Sequence, residues 1–204
     1  MIKGEFKMKL LLKAVCCGMV ISCLLSLTGF SGVCNDLEDK IFRLHILANS
    51  DSEADQNLKL KVRDEITRYT EELFADCKSK EESMKIAEEN IQSIINHAQN
   101  IIHKNGYNYS VGAYVTNMSF DTRVYDEFTL PAGKYDALRI VIGSGEGHNW
   151  WCVLYPAVCV PSAEQKINSV LNDEENNIVT ESDKYTVKFK FAEIFENICS
   201  WFGA

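Results

Sequence analysis

The stretch Ile41-Phe-Arg-Leu-His-Ile-Leu-Ala48 (IFRLHILA) decides the class of fold. Phe42, Leu44 and Ile46 fall on one side of an extended chain, with Arg43 and His45 on the other. This period of two predicts a β-strand. Asn49-Ser-Asp-Ser52 breaks it, and Ser52 or Asp51 is placed to cap a helix. From Glu53 to about Asp76 the period changes, with Leu58, Val62, Ile66, Tyr69 and Leu73 at helical spacing. Ser79-Lys-Glu-Glu82 reads as a capping box that opens a second helix. Met84, Ala87, Ile91, Ile94, Ile95, Ala98, Ile101 and Ile102 form its inner face, and Gly106 is placed to stop it.

Strand signals follow. Tyr109 to Met118 alternates, Arg123 to Thr129 is a second extended piece, and Leu130-Pro-Ala-Gly133 is a turn. Tyr135 to Ile142 is a third strand, Gly143-Ser-Gly-Glu-Gly147 a loop, and Trp150 to Tyr155 a fourth strand. Ala163 to Leu171 has a helical pattern and Asp173 to Asp183 reads as a polar linker. Tyr185 to Phe189 alternates with lysines, and Phe191 to Phe202 is an amphipathic close. The order predicts a single α+β domain, with a mixed or antiparallel sheet covered by two long helices. A hydrophobic fraction of 46% with 25% charged residues fits a globular rather than a disordered chain.

An export segment is expected in front of the domain. Lys3, Lys7, Lys9 and Lys13 precede an uncharged run from Ala14 to Val33. Cations before a long apolar stretch hold a chain at the cytoplasmic face while the next segment enters the membrane. Residues 1–33 therefore read as a signal peptide or signal anchor, and 34–204 as an extracytoplasmic domain. Gly29-Phe-Ser31 offers small residues for cleavage before Gly32. The run is also long enough to span a bilayer. Val20-Ile-Ser-Cys23 resembles a lipoprotein box, but the apolar run continues past Cys23. All three readings have the N-terminal segment engage the membrane during export, with the body outside the cytoplasm.

The segment before residue 34 holds four of the 21 basic residues and one of the 29 acidic ones, leaving 17 against 28, or −11. A body this acidic is ill suited to nucleic acid, anionic lipid or wall polymer, and suits a neutral or basic partner. Cys77, Cys152, Cys159 and Cys199 are an even number in a setting that permits disulfides. Cys152 and Cys159 enclose six residues that include Pro156, a candidate disulfide loop if the Cα atoms approach within about 7 Å. No C-x-x-C pair occurs in the domain and no second histidine stands at zinc-ligand spacing from Cys152, so no metal or cofactor is expected.

His148 lies in a glycine-rich loop four residues before Cys152, the spacing of a conceivable nucleophile and base. Cys152 follows two tryptophans into a strand, however, whereas a nucleophile stands at a loop tip or helix start. No catalytic residue is expected. Gly143 to Gly147 lacks the Lys-Ser/Thr ending of a phosphate loop and the G-x-S-x-G spacing of a nucleophile elbow. An exposed or hydrogen-bonded role accounts for His45, and a helix cap with an Asx turn accounts for Asn49 to Asp51. Trp150 and Trp151 point to opposite faces of an extended segment. One can fill the core while the other is left as a binding anchor.

Three stretches carry a resemblance. These are Arg43 to Ser52 with Asp55-Gln56 and Leu58 to Asp64, then Leu130 to Gly143, then Gly145 to Cys159 (GEGHNWWCVLYPAVC). In that order, over about Phe42 to Pro161, they resemble the stage II sporulation protein R family of endospore-forming Firmicutes. The chain departs from the family pattern at Pro156-Ala157, where a proline pair is usual, and at Tyr125-Asp126, where Tyr-Gly is common. The resemblance implies a signalling protein rather than an enzyme. It implies export from the forespore into the space between the two membranes, and activation there of a membrane-bound aspartic protease, stage II sporulation protein GA, that processes pro-sigma-E. The residues expected to meet that partner are Arg139, His148, Asn149, Trp150 and Trp151. The alternatives are an exported Cys/His hydrolase of cell-wall peptides, or a non-catalytic wall-binding module using the tryptophans.

Overall fold

The structure, a computed structural model, describes residues 32–125, 128–156, 170–181 and 184–190, together with positions 13–15, 17, 18, 22, 30, 193 and 194. Helix α1 (residues 32–40) leads into β1 (Phe42–Leu47). Helices α2 (Glu53–Leu73), α3 (Lys80–Glu89) and α4 (Ile91–Lys104) follow. Strands β2 (Val111–Phe120), β3 (Arg123–Val124), β4 (Thr129–Leu130), β5 (Gly133–Ile142) and β6 (Asn149–Tyr155) come next. Helices α5 (Asp173–Thr180) and α6 (residues 184–190) are the last described elements of any length. The fold is α+β.

The main sheet has the order β2-β5-β1-β6, and β3 pairs with β4 separately. It is mixed, because β1 runs parallel to β5 and antiparallel to β6, while β2 is antiparallel to β5. Strand β1 is buried along its whole length. Its apolar side, Phe42, Leu44 and Ile46, joins Leu138, Ile140, Ile142 and Leu154 under helices α2, α3 and α4. Leu58, Val62, Ile66, Ala87, Ile94 and Ile102 fill that layer. The opposite face is covered at one end, where Leu37, Ile41, Phe128, Leu130, Leu171 and Val179 pack on Phe120, Tyr135, Ala137 and Val153. Helices α1 and α5 and the β3–β4 pair supply that cover.

The helix termini follow the local chemistry. The Ser52 hydroxyl accepts the Asp55 N–H, and Ser79 accepts the Glu82 N–H. The reciprocal half of the Ser79 box differs from the expectation, since the Glu82 carboxylate takes the Lys78 N–H at 2.8 Å. The helix expected to run unbroken from Ser79 to Gly106 is two helices. Asn90 donates its amide to the Ile86 carbonyl at 2.9 Å and leaves helical geometry (φ −106°, ψ 12°). A side chain that competes for backbone groups ends a helix that the apolar spacing alone would continue. Gly106, at φ 85°, closes α4 as the Tyr107 N–H reaches the Ile102 carbonyl.

Three further expectations are corrected. Arg123 to Thr129 is two short paired strands rather than one. The supposed linker from Asp173 begins as α5. Asn172 and Glu175 form a complete capping box, and the buried Glu175 carboxylate also accepts from Lys40 at 2.7 Å. Only Ile178 and Val179 give α5 an apolar side, too few to stand out in a polar run. Tyr185 to Phe189 is helical, and both rings pack on Phe30. Most of Ala14 to Val33, Ala163 to Leu171 and Phe191 to Phe202 lies outside the described residues. Among the described residues no helix is long and apolar enough to cross a membrane.

The Asn172→Ala variant should lose about 1 kcal/mol of stability, within the range for removing such a cap. Urea denaturation monitored by circular dichroism measures it.

Candidate functional site

Because β1 and β5 are parallel and β6 starts where they end, two loops meet at one corner of the sheet. One is Ala48 to Ser52 and the other Gly143 to His148. The Asn49 side-chain carbonyl accepts the Ser144 N–H at 3.1 Å, and its amide donates to Asp55 at 2.9 Å. The Asn49 backbone carbonyl takes the Ser144 hydroxyl at 2.7 Å, and the Ala48 carbonyl takes the Gly147 N–H at 3.0 Å. Gly147 lies so close to the first loop that a β-carbon there would fall on the Ser50 carbonyl. Gly143 and Gly145 turn the second loop with φ of 59° and 67°.

Charged groups lock the corner. The Asp51 carboxylate accepts the His148 N–H at 2.6 Å and also meets the His148 ring at Nδ1. These hydrogen bonds hold the Asp51 carboxyl below its ordinary range. Asp55, 4% exposed, is raised by burial, but hydrogen bonds from Ser50, Asn49, Tyr109 and Ser52 outweigh that and leave it lowered. Lys59, buried on α2, donates to Gln56 at 2.6 Å and to the His148 carbonyl at 2.9 Å. Burial lowers its ammonium below the usual value.

On the face away from helices α2 to α4, one row crosses all four strands. Tyr114 of β2 pairs with Arg139 of β5, Arg139 with His45 of β1, and His45 with Trp151 of β6. His45 is 2% exposed, with its ring stacked 3.8 Å from that of Trp151. Burial pushes its pKa down to about 4. The nearby Asn149 side chain offsets part of this, and Arg139 and Arg43 add to it. Neither ring nitrogen makes a hydrogen bond of ordinary geometry. Beside it the fully buried Arg43 guanidinium lies 3.9 Å from the Phe120 ring centroid and 4.9 Å from that of Tyr135. It donates to the Tyr125 hydroxyl at 2.9 Å. Arg123 sits 5.5 Å from the Trp151 ring centroid.

The five residues expected to meet a partner divide between these two places. His148 and Asn149 are at the corner, exposed. Arg139 and Trp151 are in the row, half-buried. Trp150 faces the helices, where the Arg63 guanidinium covers it at 4.2 Å. The tryptophans do point to opposite faces, and both are half-buried. Cys152 is buried on the helix side and disulfide-bonded, so it holds no thiolate for His148 to activate. Cys159 lies outside the described residues, as does whatever sulfur Cys152 holds, because Cys17, Cys34 and Cys77 are free. Among the described residues no three His, Cys, Asp or Glu side chains are arranged to hold a metal.

His45 is buried rather than exposed, and Arg43, Arg123 and Tyr114 join it without a signal in the sequence that marks them as site residues. A strand that alternates apolar with cationic residues looks like one with a solvent face. Only the strands on either side, and the rings above, put that face inside. The Asn49 to Asp51 cap does exist, through Ser52, but the same residues also seat the second loop.

Two outcomes follow from this geometry. Gly147→Ala should separate the two loops by driving a methyl group into the Ser50 backbone. Hydrogen exchange would show it as lost protection at Gly147 and Ser144. His45 takes up a proton on unfolding at a pH where the folded protein does not, so the unfolded state binds more protons between about 6.5 and about 4. Stability should therefore fall as the pH drops through that window. His45→Phe, which keeps a ring on Trp151, should reduce the slope between roughly pH 6.5 and 5.5, above the range of most carboxylates. Urea titrations across pH measure it.

No solved structure matches the chain. Stage II sporulation protein R of Bacillus subtilis (strain 168) is 38% identical over 123 residues. That match covers 60% of this chain and 55% of the length of the relative. The family model described as stage II sporulation protein R matches residues 38–165, a span that includes β1, the corner loops and the whole cationic row, and the chain belongs to that family.

Proposed function

We propose that this chain is an exported signal of endospore formation. In this reading it leaves the forespore, enters the space between the two membranes, and activates the membrane-bound aspartic protease that processes pro-sigma-E. The N-terminal segment engages the membrane during export and is either removed or kept as an anchor. The observation that carries the reading is spatial. The stretches that bear the family resemblance meet in one place, with Asn49 and Asp51 from the first holding Ser144, just before the third, and His148 within it. Arg139, from the second, lies in register with His45 and so shares a sheet face with Trp151.

The geometry suits docking. His148, Asn149, Arg139 and Trp151 are at least partly accessible, and Asp51 holds the His148 ring while the buried His45 ring stacks on Trp151, so these two lose little side-chain freedom on binding. A hydrolase reading based on Cys152 has no free thiol to work with.

The test is co-expression of the full chain, the protease and pro-sigma-E in a host that does not sporulate. Cleavage should rise well above that with the protease alone, and cleavage no higher than that control would overturn the reading.

A further inference from the structure

The row Tyr114–Arg139–His45–Trp151 and the two arginines beside it concentrate positive charge on one sheet face. Arg43 and Arg123 interact electrostatically, and His45 lies within reach of both Arg43 and Arg139. Several of their donor nitrogens are buried and lack hydrogen bonds: Nε and Nη1 of Arg43, and Nε of Arg139 and of Arg123. Among the described residues a single carboxylate pairs with any of the three arginines, Asp121, at 3.9 Å from Arg123. Buried donors without acceptors are costly, and a cation held away from water calls for an opposite charge. Among the described residues no acceptor meets these donors, and another molecule can bring one.

The surroundings select the kind of anion. Tyr114, 44% exposed, and the half-buried Trp151 stand at the two ends of the row and make its rims aromatic. Such rims suit a charged group on an apolar stem. The part of the chain beyond residue 33, with 17 basic and 28 acidic residues and so a net −11, opposes a multiply charged polyanion and tolerates a single carboxylate. Four strands at spacings of about 4.8 Å make the row roughly 14 Å wide, the reach of several residues of peptide rather than of a free small acid.

We propose that this sheet face binds the side-chain carboxylate of a glutamate or aspartate next to an aromatic residue in a protein partner. Arg139 and Arg123 meet the carboxylate at the surface, and Trp151 and Tyr114 take the neighbouring ring. Arg43 acts from beneath by holding the rings and the positive field in place, and His45 supports the Trp151 ring. The inference rests on the docking reading above only in naming a protein as the source of the carboxylate.

The test titrates the full-length protein with N-acetyl-Glu-Phe-amide. Tryptophan fluorescence and the Arg139 Nε–H resonance report the binding. Saturable binding is expected, with N-acetyl-Gln-Phe-amide about tenfold weaker or worse for want of charge-assisted hydrogen bonds. Arg139→Gln and Arg123→Gln should each weaken the Glu peptide by a similar factor. Asp121→Asn, which removes the competing carboxylate, should tighten it, a gain that misfolding cannot imitate. Equal binding of the Gln peptide, or no effect of either arginine substitution, would overturn the proposal. So would acetate or inorganic phosphate binding as tightly as the Glu peptide. Absence of peptide binding with protease activation intact would remove this inference alone. Peptide binding without activation would remove the receptor role and leave the site.

Discussion

Strand β1 is enclosed on every side: by β5 and β6 at its edges, by helices α2 to α4 over one face, and by aromatic rings over the other. Because its sequence alternates apolar with basic residues, that enclosure puts Arg43 inside the protein. An ion buried without compensation costs several kcal/mol. The Phe120 and Tyr135 rings and the Tyr125 hydroxyl provide the compensation, each ring contributing on the order of 1–2 kcal/mol when desolvated. The end of β2, the start of β5 and the β3–β4 hairpin are therefore positioned around one guanidinium. Among the described residues its charge is accommodated by faces of rings rather than by a carboxylate, which leaves in-plane donors unspent.

The second organising contact is between backbones. Gly147 touches the loop after β1 so closely that no side chain fits, and Asn49 reads both the turn at Ser144 and the buried Asp55. Lys59 extends the same connection from α2 to the carbonyl of His148. The first turn of α2, the end of β1 and the entry to β6 thus form one rigid corner. Trp150 and Trp151 leave that corner at once, one under Arg63 and the other over His45.

Much of the architecture was legible because it rests on local periodicity. The strand at Phe42–Leu47, the helix beginning after Ser52 and the two ten-residue strands β2 and β5 each show a clear period and a chemical stop. What escaped was decided by single side chains or by distant partners. Asn90 ends α3 through one hydrogen bond to Ile86, and α5 owes its place to Glu175 meeting Lys40. The site was legible in part. The tryptophans and Arg139 stood out by residue type, whereas His45 and Arg43 looked like the wet side of a strand. Their burial depends on Trp151, Phe120 and Tyr135, none of which is near them in sequence.

The strand order also has a kinetic side. Leu44 lies between Leu138 and Cys152, so the central strand has neither neighbour until the chain extends past both. Pairings this distant are slow to form, because the closure entropy of a long loop is spent before any contact rewards it. The helices between β1 and β2 can assemble early, since α2 and α4 are close in sequence and share an apolar layer. The cationic face cannot, because its row needs β2, β5, β1 and β6 together. The row on that face is thus complete only once β6 has paired with β1.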